Sequence, residues 1–474
     1  MTLDVARARL LARNTGRLAA SPGGDRSAPL SPDGVGRRAF ALGFATAMFA
    51  AGAVAQPHGA RLTTAERALI AGALNLSGDS MSDAALLKRL LQHARVEAGQ
   101  RLRPSAINPL WTLERPERDL SAELWQAISE RRLATWLAGL SPSNHAYRAL
   151  VTARDRYAAL SATGGWLEIP AGPALAEGDR SSTIPVLRRR LAAEAREAQP
   201  VVDPTLFDAA LARAVRGFQA AYGLEPDGVV GPATRAAMNI SAQARLEQIE
   251  ANLERWRWLP HSLPADRIEV DTGAQEATLY LDDRQALRMR VVVGRPERKT
   301  PMFAAVVEAV IVNPVWNVPS SIARNELLPA ESRRPGTLAR MGISSVDGRL
   351  QQRPGPANAL GRIKFDMPNR FDVYLHDTPA RALFERPVRA FSHGCVRLER
   401  PLELAGLLLA RQDASPAHLD QAIDAGGTVR LRLARAILVY VTYRTAEVVD
   451  GLVRFRPDIY LWDRELSAAL AHYQ

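Results

Sequence analysis

The sequence predicts a multi-domain α+β chain: a helical front, a compact three-helix unit, and a mainly β, β-sandwich-like domain with a short tail. Three observations predict it. Between residues 60 and 160 leucines recur at three- and four-residue spacing, the period of helices with one buried face. Residues 179–241 carry caps, an apolar stripe and glycine turns at the spacing of short helices. From Ile268 the period drops to two and β-branched residues dominate. At roughly 150 residues per domain, 474 residues leave room for about three.

Composition narrows the classes. Hydrophobic residues make up 47% and charged residues 23%, which can fill cores and excludes wholesale disorder. The single cysteine, Cys395, excludes an intrachain disulfide and any cysteine-rich metal site. The net charge is +11, nearly all from arginine; the lysines are Lys88, Lys299 and Lys364. Seven Arg and three Asp fall in residues 1–38, so the rest of the chain carries only +7. That modest excess suits an anionic partner. With no Lys/Arg block interleaved with aromatics, it argues against nucleic acid.

Residues 1–55 have the order of an export signal. Arg37-Arg38 precede an uncharged run from Ala39 to Ala55 that ends in Ala53-Val54-Ala55, a small-x-small cleavage site. The Arg pair before Ala39-Phe40 fits the twin-arginine route, although Leu42 stands where that motif has lysine, so the general secretory route stays open. A single uncleaved N-terminal anchor is the alternative, marginal at seventeen apolar residues. In an exported chain, a lone cysteine is either buried and inert or a thiol with a task.

The mature chain divides in order. Residues 56–178 form a helical scaffold, with Leu87, Leu90 and Leu91, then Leu124, Ile128 and Leu133, at helical spacing, a further helix over 144–159, and Gly164-Gly165 as its end. In 179–241, Asp203-Pro204 reads as a cap and first-turn proline; Leu211, Val215, Phe218 and Tyr222 share a stripe that Gly223 stops. The spelling Ala214-Val215, Phe218-Gln219, Gly223-Leu224, Asp227-Gly228, Gly231 and Thr234 resembles the small three-helix peptidoglycan-binding domain, which implies attachment to the glycan–peptide wall. Residues 242–264 form a connector helix with Leu246, Ile249, Leu253 and Trp256 on one face, ended by Pro260 and Pro264. Residues 265–435 form the β domain, a sandwich or curled sheet. Its strands include Ile268-Glu269-Val270, residues 277–281, 289–293 and 306–312, with Asp282-Asp283 as a turn. An insertion over about 320–358, rich in Pro, Arg and Gly, breaks the pattern and points to a lid or subdomain. Residues 436–474 form a tail with one strand and a closing helix, expected to pack on the scaffold.

The chemistry concentrates between Tyr374-Leu375-His376-Asp377 and Ser392-His393-Gly394-Cys395-Val396-Arg397. A thiol near its ordinary pKa is mostly protonated at neutral pH; an imidazole that takes its proton makes it a stronger nucleophile. Gly394 permits a tight turn that bares backbone N–H groups for an oxyanion. Arg397 adds positive charge that favours thiolate and an anionic substrate. The residues alone leave protease and transferase equally open, and a buried structural cysteine as well.

The segment resembles the signature of the L,D-transpeptidases: a histidine, a spacer of roughly fifteen residues, then Ser-His-Gly-Cys, an apolar residue and Arg or Asn. His376, Ser392, His393, Gly394, Cys395, Val396 and Arg397 fill it. Gly294-Arg295-Pro296, Thr300-Pro301, the run from Asn313 to Pro319, Gly361-Arg362 and Lys364-Phe365 also fit. The order of helical front, wall-binding unit, connector and tail resembles the large periplasmic branch. The resemblance implies Cys395 as nucleophile, His376 as general base and the Asp377 backbone carbonyl as the orienter of the imidazole, with its side chain turned the other way. It implies His393, Gly394 and Cys395 around the oxyanion, and Arg397, Ser392, Tyr374 and Asn317 at the substrate. Arg397 either holds a carboxylate or braces the loop; Ser392 supports the loop rather than reacting. The insertion would cap the substrate.

The implied reaction joins diamino acid residues of two stem peptides through a cysteine acyl-enzyme, releasing terminal D-Ala, in the periplasm, without metal or cofactor. Carbapenem acylation is implied too. The acceptor is a second stem, an outer-membrane lipoprotein, a free amine or water, and cell-wall synthesis proteins are candidate partners. Gly294 to Thr300 lacks the glycine of a P-loop, and the other histidines lack zinc-hydrolase spacing. Two rivals remain: a thiol carboxypeptidase or exchange enzyme, and a non-catalytic wall-binding scaffold.

Overall fold

The computed structural model describes residues 61–76, 81–194, 202–411 and 416–473. The expected export signal, residues 1–55, lies outside them. Among the described residues no helix is long and apolar enough to cross a membrane.

The front helices Thr64–Ala73, Asp83–Glu97, Leu120–Ser129 and Leu133–Ala138 close around a core of their own, with Ile70, Leu90, Leu124 and Leu133 at its centre. Side-chain caps set their starts. Thr63 and Glu66 form a capping box, and Ser82 and Asp119 accept N–H groups of the next two. The helix His145–Ala162 instead joins the main core through Tyr147, Leu150 and Tyr157.

The three-helix unit comprises Ile184–Ala192, Ala209–Ala221 and Pro232–Met238. Leu211, Val215, Phe218 and Tyr222 are buried as their spacing predicts. The cap differs from expectation: Asp208, not Asp203, opens the second helix by accepting the Leu211 N–H. Asp203 closes a turn onto the Thr205 N–H at 2.9 Å, and backbone bonds to Asp179 and Ser181 hold the next residues extended. One buried amide links the recognisable residues: Gln219 donates to Asp227, Val229 and Thr234 and accepts the Gly228 N–H.

The connector helix Ala242–Arg257 is buried on more than its apolar face. Arg255 pairs with Asp463 at 2.6 Å and Arg257 with Glu97 at 2.7 Å, so its polar side binds tail and front.

The β domain is one nine-stranded sheet in the order β10-β3-β11-β9-β8-β4-β12-β1-β2, with β2 also paired to β3. Its strands are β1 (Arg267–Asp271), β2 (Glu276–Leu281), β3 (Arg284–Gly294) and β4 (Phe303–Val312). A separate small sheet holds β5 (Trp316–Asn317), β6 (Ile343–Val346) and β7 (Arg349–Gln352). The main sheet continues with β8 (Ile363–Asp366), β9 (Leu375–His376), β10 (Ala390–Ser392), β11 (Val396–Leu398) and β12 (Val429–Thr442). Strand β3 pairs with β2 along its first half and with β11 and β10 along its second, which curls the sheet closed. Asp282 and Asp283 turn at φ 51° and 61°, the geometry of a two-residue hairpin.

Two expected boundaries move. The insertion's small core joins Val318, Leu327, Ile343 and Leu360 to Trp316 on β5, so the inserted subdomain starts before residue 320. The limit drawn at 435/436 falls inside β12, which pairs with β4 on one side and β1 on the other. A register shift between Arg432 and Ile437 interrupts the strand without ending it. Beyond β12, the hairpin β13 (Ala446–Val449) and β14 (Leu452–Phe455) sets Phe455 5.6 Å from Tyr157 and 5.5 Å from Tyr222.

Candidate active site

Three adjacent strands align the chemistry. The register of β8, β9 and β11 sets Lys364, His376 and Arg397 in one cross-strand row. Residues two apart share a strand face, so Tyr374 and Cys395 fall on that face one step along.

Cys395 ends the turn from β10 to β11. Gly394 adopts φ +119° there, a conformation strained for other residues. The Ser392 hydroxyl donates to the Cys395 carbonyl at 2.5 Å and accepts the Gly394 N–H at 3.1 Å. The Thr300 hydroxyl donates to the Gly394 carbonyl at 2.8 Å. The loop is held from within and from behind.

His376 is buried, and its Nδ1 meets the Asp377 carbonyl at 2.5 Å. Nδ1–H donates, which leaves the lone pair on Nε2. The Asp377 carboxylate turns away, accepting the Arg362 N–H at 2.9 Å and Arg381 at 3.3 Å. Burial, with Arg397 and Lys364 adding to it, pushes the imidazole down to about 3 against the pull of the Asp377 carbonyl.

The half-buried Cys395 thiol is pushed up by burial. The Tyr374 N–H and hydroxyl, Lys364 and Arg397 oppose that shift only in part. The thiol donates to the Asp372 carbonyl at 3.7 Å, and no hydrogen bond joins it to His376 among the described residues. The resting pair is neutral thiol and neutral imidazole. Arg397 has no ion pair among the described residues, and its buried Nε has no hydrogen-bond partner. Lys364 lies 4.3 Å over the Tyr374 ring. Both cations are available to an anion.

Several expected roles take another form. Ser392 is 1% exposed and both its bonds stay within the loop, so it cannot touch a substrate. The Gly394 N–H is occupied by that hydroxyl, so it is no free oxyanion donor; the Cys395 N–H, without an acceptor among the described residues, remains. The His393 imidazole turns to the inserted subdomain, with Nε2 2.6 Å from Glu326 Oε1. Glu326 also faces Arg295 at 3.6 Å. Asn317 is exposed on β5, opposite Gln351. Tyr374 packs against the small core around Trp316 of β5, and burial first, then the neighbouring Cys395, push its hydroxyl well above the usual tyrosine range. Thr300 and Lys364 stood out in the sequence only as fitting the family pattern, with no role assigned to them, and Glu326 did not stand out at all. Among the described residues, no group of three or more His, Cys, Asp or Glu could hold a metal ion.

Parts of the chain match known families. Residues 265–428 match the family model "L,D-transpeptidase catalytic domain", residues 180–238 "Putative peptidoglycan binding domain" and residues 59–153 "Scaffold domain". A curated protein of Haemophilus influenzae, "Putative L,D-transpeptidase", is 30% identical over 244 residues, 47% of this chain and 49% of that one. This chain thus spans about half the length of that relative. Among solved structures, an L,D-transpeptidase from Xylanimonas cellulosilytica aligns at 18% identity over 58% of this chain and 100% of that chain, with TM-score 0.19. One from Mycobacterium smegmatis aligns at 16% identity over 38% and 58%, with TM-score 0.21. By its family matches, this chain carries an L,D-transpeptidase catalytic domain at residues 265–428 behind a peptidoglycan-binding domain.

Proposed function

We propose that the protein is an exported cysteine acyltransferase of the cell envelope that cross-links peptidoglycan stems between diamino acid residues. The observation that carries this is the strand register that sets Arg397, without an ion pair among the described residues, opposite His376 and Cys395 two residues before it on the same face, with His376 Nδ1 fixed on the Asp377 carbonyl.

In the first step the Cys395 sulfur attacks the carbonyl at the L-centre of the diamino acid in a tetrapeptide stem. The S–C bond forms, and the thiol proton passes to Nε2 of His376. The Cys395 N–H faces the developing oxyanion. The C–N bond to terminal D-Ala then breaks, and His376 returns its proton to the departing amine. In the second step an amine of another stem attacks the thioester. The new C–N bond forms, the S–C bond breaks, and His376 carries the amine proton back to sulfur. Arg397 holds a donor carboxylate, since it has no ion pair among the described residues and its buried Nε has no hydrogen-bond partner. Tyr374 and Lys364 line the donor side, and Asn317 and the capping subdomain face it from β5. Residues 179–241 keep the catalytic unit on the wall, while 56–178 and 436–474 frame it.

The test is mass spectrometry of the purified protein with tetrapeptide muropeptides, alongside Cys395→Ala. Cross-linked dimers lacking one terminal D-Ala, absent with the variant, are expected. Tripeptides without dimers would shift the activity to hydrolysis. Unchanged muropeptides with no thioester mass on the protein would leave a wall-binding scaffold instead.

A further inference from the structure

Tyr460 lies outside the residues that match the catalytic domain, yet it is bonded to the turn that holds the cysteine loop. Its hydroxyl donates to the Gly294 carbonyl at 2.6 Å and accepts the Thr300 N–H at 3.3 Å. Thr300 Oγ1 accepts the Gly294 N–H at 2.9 Å and donates to the Gly394 carbonyl at 2.8 Å. A Cβ on Gly294 would stand 2.1 Å from the Arg298 carbonyl oxygen, so the turn closes tightly on itself. Two more bonds reinforce the contact: Lys299 Nζ donates to the Tyr460 carbonyl at 2.7 Å, and the Arg295 N–H donates to the Ser392 carbonyl at 3.0 Å.

Tyr460 is itself fixed. Its N–H donates to the Tyr443 hydroxyl at 3.1 Å, which donates to Asp458 at 2.6 Å. Its ring stacks on Tyr443 at 5.3 Å and meets Trp462 edge-on at 4.9 Å. Trp462 in turn lies 5.7 Å from Trp111 of the front. Tyr460, Gly294, Thr300 and Gly394 are all buried, so no water is at hand to replace a lost partner.

We propose that Tyr460 is a positioning residue for Cys395: its hydroxyl fixes the Gly294–Thr300 turn, and the turn fixes the backbone that carries the thiol. The catalytic unit therefore extends into the C-terminal tail. This rests on the cysteine acyltransferase function. Without the hydroxyl, the Gly294 carbonyl and Thr300 N–H regain partners only if the turn shifts. A displacement near 1 Å at a reacting group costs about 100-fold in rate.

The test is time-resolved mass spectrometry of Cys395 acylation by imipenem on the full mature chain, over a concentration series. Tyr460→Phe keeps the ring packing and removes only the hydroxyl. It should lower the saturating acylation rate about 10- to 100-fold and leave the half-saturating concentration unchanged. Thr300→Val should give the same split, and Thr300→Ser, which keeps the hydroxyl, should restore the rate. Tyr157→Phe, which removes a buried hydroxyl bonded to Glu194 in the wall-binding junction, should acylate like wild type. The proposal is overturned if Tyr460→Phe acylates within twofold of wild type, or if Tyr157→Phe loses as much rate. If the wild type itself forms no Cys395 adduct, the acyltransferase function falls and this inference with it.

Discussion

His376 sits between two cations and cannot carry charge of its own at rest. The site therefore starts without a thiolate–imidazolium pair, and Lys364 and Arg397 supply the positive field instead. Both lower the thiol against the larger effect of burial, so removing either makes thiolate harder to form. Arg397→Met should move the pH profile of iodoacetamide alkylation of Cys395 to higher pH. It should also raise the donor KM about 10- to 100-fold, the worth of a charge-assisted hydrogen bond. An unmoved profile would show that Arg397 does not act on the sulfur. The imidazole also makes folding acid-sensitive. Its pKa is about 3 when folded and near 6.5 in the unfolded chain, so the unfolded state binds more protons between those values. The stability it confers is complete above about pH 6.5 and is lost as pH falls toward 3. His376→Gln should flatten the acid limb of Tm against pH in that window; a limb as steep as wild type would assign the sensitivity to other groups.

The inserted subdomain, the proposed cap, is tied to the cysteine loop by the exposed Glu326–His393 contact at 2.6 Å, with Arg295 behind it. Exposed pairs contribute about 0.2–1 kcal/mol, so Glu326→Gln should raise hydrogen exchange of residues 320–333 about two- to fivefold and leave that of β9 unchanged. Unaltered exchange would mean that the small core around Trp316 and Leu327 alone holds the cap. What the sequence disclosed at this scale depended on distance along the chain. His376, Cys395 and the Asp377 carbonyl fall within twenty residues, so a single local stretch carries the family resemblance that pointed to them. Glu326 and Thr300 reach the same loop from 67 and 94 residues away, Tyr460 reaches the turn behind it from 160 and 166, and no local pattern records such contacts. Periodicity found strands but not their ownership. The length of β12 crosses an apparent change of pattern at Arg432, and its pairing with both β4 and β1 keeps it one strand. Asp203 shows the same limit at a cap. Asp before Pro is a helix start by propensity, yet pairing with residues 179–181 held the chain extended until Asp208.

One hydrophobic core takes in Leu102, Trp111 and Leu113 together with the wall-binding unit, connector, sheet and tail as far as Leu470, whereas Leu62 to Ala98 and Leu120 to Leu140 of the front form a second core. Wall-binding and catalytic parts therefore share one cooperative body, and the front is the piece able to open separately. The connector helix decides whether it does. Arg257 meets Glu97 at 2.7 Å and the Tyr147 hydroxyl at 3.0 Å, while Gly99 leaves no room for a Cβ against the Arg257 carbonyl. Arg257 helps hold Glu97 below the usual carboxylate range despite burial. Arg257→Met would leave that carboxylate buried without its cation, a change that costs about 3–5 kcal/mol. Because the loss falls at the junction, calorimetry should resolve an early transition, and hydrogen exchange should assign it to residues 61–98 and 120–140. Imipenem acylation of Cys395 at 25 °C should stay at the wild-type rate, since the cysteine loop is braced by Thr300 and Tyr460 from the other core. A single transition shifted as a whole would instead make the front an inseparable part of the catalytic body.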